Sequence, residues 1–177
     1  TPKTVTVKVI FPENFSVDGV KPEHRNHLEL MSLFFLTLYR LIDNRHGGDF
    51  DFDMPLYSTL LLKTVGRRYT EVRRLCVQYG LIHFTDGHYQ FFSCRTRKGE
   101  SMRYLIREEY RNRPLRQSTV EIDKRQHSWH EKREVAFNEW LHKPENAHFL
   151  HMYGMKGRFS VDESADQLFD DVHHKTD

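Results

Sequence analysis

Polar and β-branched residues alternate at the start of the chain and then give way to a long apolar segment. Residues 3–11, KTVTVKVIF, follow this alternation, which predicts a β-strand. After a loop rich in Pro, Asn, Asp and Gly, residues 22–44 show apolar positions at helical spacing, and Gly47 and Gly48 are expected to end that helix. Its apolar face, within LELMSLFFLTLYRLI, is so wide that we expect the helix to be buried on most sides.

Two shorter helices follow and form a helix-turn-helix pattern. The first is predicted to begin at Asp53–Pro55 and continue to Gly66; the second covers residues 68–79 and stops before Gly80. The second helix has apolar residues at positions i, i+3, i+4 and i+7, which predict an inward stripe of Val72, Leu75, Cys76 and Tyr79. The outward side then carries Arg67, Thr70, Arg74 and Val77, flanked by Arg73 and Gln78.

Strand signals and a basic loop come directly after these helices. Residues 81–84 and 89–94 predict two strands with a turn at residues 85–88 between them. The loop RTRKGES follows, and then the apolar pattern resumes in MRYLIREEY. Three helices, a strand, a basic loop and a strand occur in the order of a winged helix, so RTRKGES is predicted to be the tip of the wing.

The last third of the chain has a different character. Residues 111–126, RNRPLRQSTVEIDKRQ, are typical of a connector, and residues 127–155 predict a helix with a break near Pro144. A further helix begins at Ser160 or Asp162, with apolar residues at helical spacing up to Val172. The apolar line of the longer helix is predicted to be Trp129, Val135, Ala136, Trp140 and Leu141, with Phe137 off that line.

These patterns predict an α+β fold that is mainly α. A winged helix-turn-helix core with an N-terminal strand would occupy residues 1–116. An α-helical C-terminal extension would occupy residues 117–177.

The charge of this nearly neutral protein is unevenly distributed. Residues 1–62 hold six Lys/Arg and eight Asp/Glu, a net of −2, and residues 117–177 hold eight and twelve, a net of −4. Residues 63–116 hold thirteen and five, a net of +8. Positive charge concentrated in one segment is the usual footprint of a surface that binds a polyanion.

Several classes of protein are not favoured by the sequence. The longest apolar region is interrupted by Glu29 and Arg40, so no membrane span is predicted, and no signal peptide is recognisable. The only cysteines are Cys76 and Cys94; we expect reduced thiols, a core position for the first, a strand position for the second and a cytoplasmic location.

The region from about residue 24 to residue 110 resembles a known family. YTEVRRLCVQYGLI, followed by a hairpin and KGESMRYLI, resembles the winged-helix segment of replication initiator and related replication proteins of phages and plasmids. The resemblance implies sequence-directed binding of duplex DNA at an origin or promoter, in the host cytoplasm if the protein comes from a phage.

The candidate DNA-binding residues lie on the third helix, beside it and in the wing. Arginine reaches guanine edges in the major groove, and Lys or Arg neutralises phosphates. The alternative is a solvated helix face and a solubilising hairpin tip. The candidates are Lys63, Arg67, Arg68, Thr70, Arg73, Arg74, Arg95, Arg97, Lys98 and Arg103.

The sequence does not favour a metal site or a catalytic site. His127 with His130, and His148 with His151, have i, i+3 spacing, but no cysteine lies near them and no HExxH motif is present. Asp49, Asp51 and Asp53 are better explained as helix-capping acids in a linker than as a Mg²⁺ site. The sequence predicts no enzyme activity, no metal and no cofactor.

Two functions remain. The first is a winged-helix protein that binds double-stranded DNA in replication or its control, in a phage or mobile element. The second is a protein-interaction module in which the winged helix is scaffold and residues 117–177 dock a partner or self-associate. In that case the aromatic residues of the extension would matter, namely Trp129, Trp140, Phe149 and Phe169.

Overall fold

A computed structural model describes residues 3–44, 54–85, 88–90 and 115–153. In these residues the fold is α+β and mainly helical, with five α-helices and two two-stranded antiparallel sheets. The strands are β1 (Thr4–Pro12), β2 (His83–Thr85), β3 (His88–Gln90) and β4 (Leu115–Asp123). The helices are α1 (Leu28–Asn44), α2 (Met54–Thr64), α3 (Tyr69–Gln78), α4 (Lys124–Leu141) and α5 (Ala147–Tyr153). Short 3-10 helices lie at Val17–Gly19, Pro22–His27 and Pro144–Asn146.

The apolar run of α1 is enclosed by the other elements. Every residue from Leu28 to Tyr39 is buried except Leu33, which is half-buried. β1, α2, α3 and α5 all contact this helix. The prediction of a helix buried on most sides is confirmed, because a face this wide finds apolar partners in every direction.

β1 is held between β4 and α1. It pairs antiparallel with β4 from Thr4↔Asp123 to Pro12↔Leu115. On the other side, Ser32 of α1 donates its hydroxyl to the Ile10 carbonyl at 2.8 Å and accepts from the Ile10 amide at 2.9 Å. A buried hydroxyl therefore satisfies strand groups that would otherwise lack partners in the core.

The connector predicted over residues 111–126 is wrong for its described part. Residues 115–123 form β4, in which Leu115, Val120 and Ile122 are buried against β1 and the helices. Polar residues fill the remaining positions of this strand, so its composition concealed the burial of these three residues. The boundary expected between residues 116 and 117 falls inside β4, and Phe137 and Tyr153 join the same hydrophobic core as α1.

α4 exists as predicted, but its buried face was predicted one position out of phase. Asp123 caps the helix by accepting from the amides of Arg125 at 2.8 Å and Gln126 at 3.3 Å. The predicted apolar line is wrong for Trp129, which is 44% exposed, and for Val135, which is 60% exposed, but it is right for Leu141, which is buried. The buried residues of α4 are His130, Phe137 and Leu141.

Stacking of aromatic rings explains why Phe137 takes the inward position. Its ring packs edge-on against Tyr153 at 5.2 Å and lies parallel to Trp140 at 6.1 Å. The predicted break near Pro144 is confirmed by the 3-10 turn Pro144–Asn146 between α4 and α5. The predictions for Gly47, Gly48, Cys94 and the helix after residue 160 lie outside the described residues.

A small cluster of buried ionisable groups joins α4 to α1. Glu29 is only 4% exposed, and His127 Nδ1 lies 2.8 and 3.1 Å from its two carboxylate oxygens. Burial raises the pKa of Glu29, and the bond to His127 opposes that rise. Nearby, burial lowers the pKa of His130 to about 4, helped by the charges of His127 and Arg133. His130 Nδ1 has no hydrogen-bond partner among the described residues.

Replacing His130 by Leu should remove part of the protein's sensitivity to acid. The unfolded chain takes up a proton on this residue near the ordinary histidine pKa of 6.5, whereas the folded protein resists until about pH 4. Between those values the unfolded state binds more protons, so the free energy of unfolding falls as the pH falls. Urea denaturation measures the free energy of unfolding at each pH. Between pH 7 and pH 4 this free energy should fall by roughly 3 kcal/mol more for the wild type than for His130→Leu.

Val135, which is 60% exposed and carries no ionisable group, is the control site, and Val135→Leu should follow the wild type. Parallel pH dependences for His130→Leu and the wild type would contradict the buried, neutral state of His130. The opposite contribution of Glu29, whose raised pKa favours the folded state at low pH, is present in all three proteins and cancels from the comparison.

Candidate nucleic-acid interface

The turn that leads from α2 into α3 depends on a glycine. Gly66 has φ +107°, and the amides of Val65 and Gly66 both donate to the Leu61 carbonyl, at 2.8 and 3.2 Å. Arg133 of α4 closes over the turn, with Nη1 donating to the Val65 carbonyl at 3.0 Å. A Cβ on Gly66 would lie 2.5 Å from the Arg133 guanidinium carbon. The turn between α2 and α3 therefore requires a glycine at position 66 and is contacted by Arg133 of α4.

One side of α3 is buried against α1, as its periodicity predicts. Val72, Leu75 and Cys76 are buried, and the Cys76 thiol donates to the Met31 carbonyl at 3.7 Å. Burial raises the pKa of this thiol, so Cys76 is an unreactive core residue, as expected. Gly80 follows the helix with φ +75°, and the Leu81 amide donates to the Cys76 carbonyl at 2.9 Å.

Tyr79, the last member of the inward stripe, anchors the end of α3 to the segment before α1. Its hydroxyl accepts from the Lys21 amide at 3.1 Å and lies 2.7 Å from His24 Nδ1. The 3-10 turn Pro22–His27 therefore runs along this flank of the helix. Arg68 and Glu71 lie on the same flank, since their charges act on His27.

The opposite flank of α3 is tied to the β2–β3 hairpin by Arg73. Its guanidinium lies 3.9 Å from the ring centre of Phe84, and Nη1 donates to the Tyr89 hydroxyl at 3.1 Å. Tyr89 is buried, pairs with Phe84 across the hairpin, and packs edge-on against Phe34 of α1 at 5.8 Å. Arg73 is half-buried and does not lie on the exposed stripe of the helix. A planar guanidinium that stacks on one ring and bonds to another residue serves to hold the hairpin.

Between these two flanks the outer side of α3 is exposed. One exposed line consists of Arg67, Thr70, Arg74 and Val77, which we call the α3 stripe, and Glu71 and Gln78 are exposed beside it. The spacing i, i+3, i+7 and i+10 places these residues along one line of the helix and the turn before it. The outward side predicted from the sequence is confirmed for these four residues.

The remaining candidates fall elsewhere. Lys63 of α2 is half-buried, and its ammonium lies 5.4 Å from the ring centre of Trp140, on the side of α2 that faces α4. Arg95, Arg97, Lys98 and Arg103, with the whole of RTRKGES, lie outside the described residues. The described part of the predicted wing is the hairpin of β2 and β3, where His83 pairs with Gln90.

No protein-family model, curated protein or solved structure matches this chain. Within residues 3–44, 54–85, 88–90 and 115–153, no helix is both long and apolar enough to cross a membrane. In the same ranges, no three His, Cys, Asp or Glu side chains are grouped so that they could hold a metal ion.

Two aromatic residues that the sequence suggested for docking a partner belong to the core instead. Phe149 is buried, and Trp140 is half-buried with its ring 4.8 Å from that of Phe149. Phe169 lies outside the described residues. Among the described members of this group, Trp129 is the exposed one, and it lies beside basic residues of α4 that the sequence pattern did not single out.

The adjacent residues Arg73 and Arg74 should differ sharply in their effect on stability. Arg73→Ala removes the stacking on Phe84 and a hydrogen bond to a buried hydroxyl, which should lower the free energy of unfolding by about 1–3 kcal/mol. Arg74→Ala removes an exposed side chain and should change it by less than about 0.5 kcal/mol. Urea denaturation of the two variants measures the difference.

A double-mutant cycle with Tyr89→Phe separates the hydrogen bond from the rest. If Arg73 bonds to the Tyr89 hydroxyl as described, the two substitutions together should cost less than the sum of their separate costs. Additive effects, or equal losses for Arg73→Ala and Arg74→Ala, would show that Arg73 does not anchor the hairpin.

Proposed function

We propose that this protein binds double-stranded DNA by placing α3 in the major groove. The observation that carries the proposal is the α3 stripe, an exposed line with two arginines on a helix that is anchored on its other sides. The major groove of B-DNA is about 12 Å wide and admits one α-helix. A helix anchored in this way presents its side chains to the groove in a fixed orientation.

The order of elements supports the same function. In the described residues α1, α2 and α3 are followed by the β2–β3 hairpin, which is the order of a winged helix. In the proposal, the basic residues that come after β3 in the sequence contact the DNA backbone as a wing. These residues are Arg95, Arg97, Lys98 and Arg103.

The chemistry of the α3 stripe fits a base-reading surface. Arginine pairs with guanine through two hydrogen bonds, threonine donates or accepts at base edges, and an apolar side chain suits the thymine methyl group. Arg67 and Arg74 supply the first group, Thr70 the second and Val77, 40% exposed, the third. In the proposal, Arg68, on the flank nearer the Pro22–His27 turn, contacts phosphate.

In the proposal the protein acts in replication or its control, in a phage or mobile element and in the host cytoplasm. This part rests on the resemblance of YTEVRRLCVQYGLI and KGESMRYLI to the winged-helix segments of replication initiators. The other candidate, a protein-interaction module, loses support because Trp140 and Phe149 pack within the core.

A mobility-shift titration from about 50 to 200 mM salt tests the proposal, with mixed-sequence duplex DNA as the probe. The wild type should bind more weakly as salt rises, because each neutralised phosphate releases counterions. The double variant Arg67→Ala/Arg74→Ala should bind roughly 10- to 100-fold more weakly than the wild type. Its slope of log affinity against log salt should be less steep by about two, because two positive charges at the interface are lost.

The matched control removes two exposed positive charges elsewhere. Lys8 lies on β1 and Lys143 follows α4, and the double variant Lys8→Ala/Lys143→Ala should bind as the wild type does. If the wild type does not bind duplex DNA, or if both double variants lose affinity equally, the α3 stripe is not a DNA-binding surface.

A further inference from the structure

A groove with basic walls lies at the start of α4 and shares no residue with the α3 stripe. It encloses about 960 Å³ where the N-terminal end of β1, the C-terminal end of β4 and the first turns of α4 meet. The Lys124 amide donates to the Lys3 carbonyl at 2.9 Å, and this bond joins the start of β1 to the end of β4. The groove is lined by Lys3, Asp123, Lys124, Arg125, Ser128, Trp129 and Lys132.

The positive side chains of this groove come from two neighbouring lines of one helix. Lys124, Ser128 and Lys132 are four residues apart, and Arg125 and Trp129 form the adjacent line. Lys3, just before β1, adds a fourth positive charge. Among the described residues that line the groove, Asp123 is the one carboxylate, and it accepts from the amides of Arg125 and Gln126 as the helix cap.

Two acids of α4 lie near Glu29 of α1. Glu131 faces His127, with 3.5 Å between its carboxylate and His127 Nε2. Glu131 and Glu134 are both close enough to Glu29 for their charges to raise its pKa. Among the described residues that line the groove, four are positive and one is negative, which gives the groove a net positive charge.

Trp129 gives the groove a second kind of binding group. Its ring is 44% exposed, and the Arg133 guanidinium lies 3.5 Å from the ring centre. Arg133 itself is fixed by its bond to the Val65 carbonyl, so it supports the ring from a rigid position. An exposed indole ring held by an arginine and surrounded by cations is suited to stack with a flat, uncharged ring attached to phosphate.

We propose that this groove binds single-stranded nucleic acid, as a site separate from the α3 stripe. Lys3, Lys124, Arg125 and Lys132 contact consecutive phosphates, and one unpaired base stacks on Trp129. A single strand fits better than a duplex because the bases of a duplex are already stacked on each other, whereas those of a single strand are free to stack on an aromatic side chain.

The location gives the site a role beyond duplex binding. Trp129 contacts Arg133, and Arg133 contacts the Val65–Gly66 turn directly before Arg67 of the α3 stripe. A duplex on α3 and a single strand in the groove would therefore be held on neighbouring parts of the protein. DNA opened beside a bound duplex supplies both kinds of ligand.

Tryptophan fluorescence provides a direct test, since Trp129 and Trp140 are the only tryptophans. In a Trp140→Phe background, an oligo-dT of about 12 nucleotides should quench Trp129 on binding, and the quenching should weaken with salt. Anisotropy of the same oligonucleotide, labelled with fluorescein, gives affinities for all variants. Four phosphate contacts predict a slope of about −3 for log affinity against log salt.

Two variants divide the contributions of charge and stacking. Lys124→Ala/Lys132→Ala should reduce the steepness of that slope by about 1.4, and Trp129→Ala should weaken binding by on the order of 10-fold or more. Lys8→Ala/Lys143→Ala is the control of equal charge and should bind oligo-dT as the wild type does. Urea denaturation of each variant confirms that it is folded.

The outcomes separate this site from the α3 stripe. The inference is overturned if oligo-dT does not bind the wild type. It is also overturned if oligo-dT binds Trp129→Ala and Lys124→Ala/Lys132→Ala as tightly as it binds the wild type. Both results hold whatever the duplex does. If Arg67→Ala/Arg74→Ala loses duplex binding but retains oligo-dT binding, both proposals stand. Oligo-dT binding without any duplex binding would support the groove and reject the α3 stripe. A poly-glutamate peptide that competes with oligo-dT at equal affinity would overturn the choice of nucleic acid.

Discussion

The burial of α1 is the constraint on which the other elements depend. A helix that is apolar on nearly all sides must be covered on nearly all sides, and here β1, α2, α3 and α5 each cover part of it. Where β1 meets α1, Ser32 satisfies the backbone of Ile10, so the strand is fixed as well as covered. β4 then pairs with β1, and α4 begins where β4 ends.

This constraint decides what α3 can present to a partner. α3 buries one line of residues against α1, Tyr79 fixes one flank to the segment before α1, and Arg73 fixes the other flank to the hairpin. A helix of ten residues held on three sides keeps its outer side exposed, and the α3 stripe with Arg67 and Arg74 lies there. The same framework brings α4 across the turn at Gly66, which puts a second basic surface next to the first.

Local periodicity predicted β1, α1, α2 and α3, because each of these elements shows its burial in its own spacing. β4 was missed because its burial depends on pairing with a strand more than a hundred residues away. The face of α4 was misplaced because Trp129, supported by Arg133, is stable at the surface. The groove at α4 was overlooked because a net charge of −4 over residues 117–177 averaged away Lys124, Arg125, Lys132 and Arg133.

The central claim is that neighbouring arginines on α3 have different partners, the hairpin for Arg73 and DNA for Arg74. NMR of the arginine Nε–Hε groups, recorded as duplex DNA is added, tests it most directly. The account predicts that the Arg67 and Arg74 signals shift while the Arg73 signal stays in place. A shift of the Arg73 signal with no change at Arg74 would contradict it.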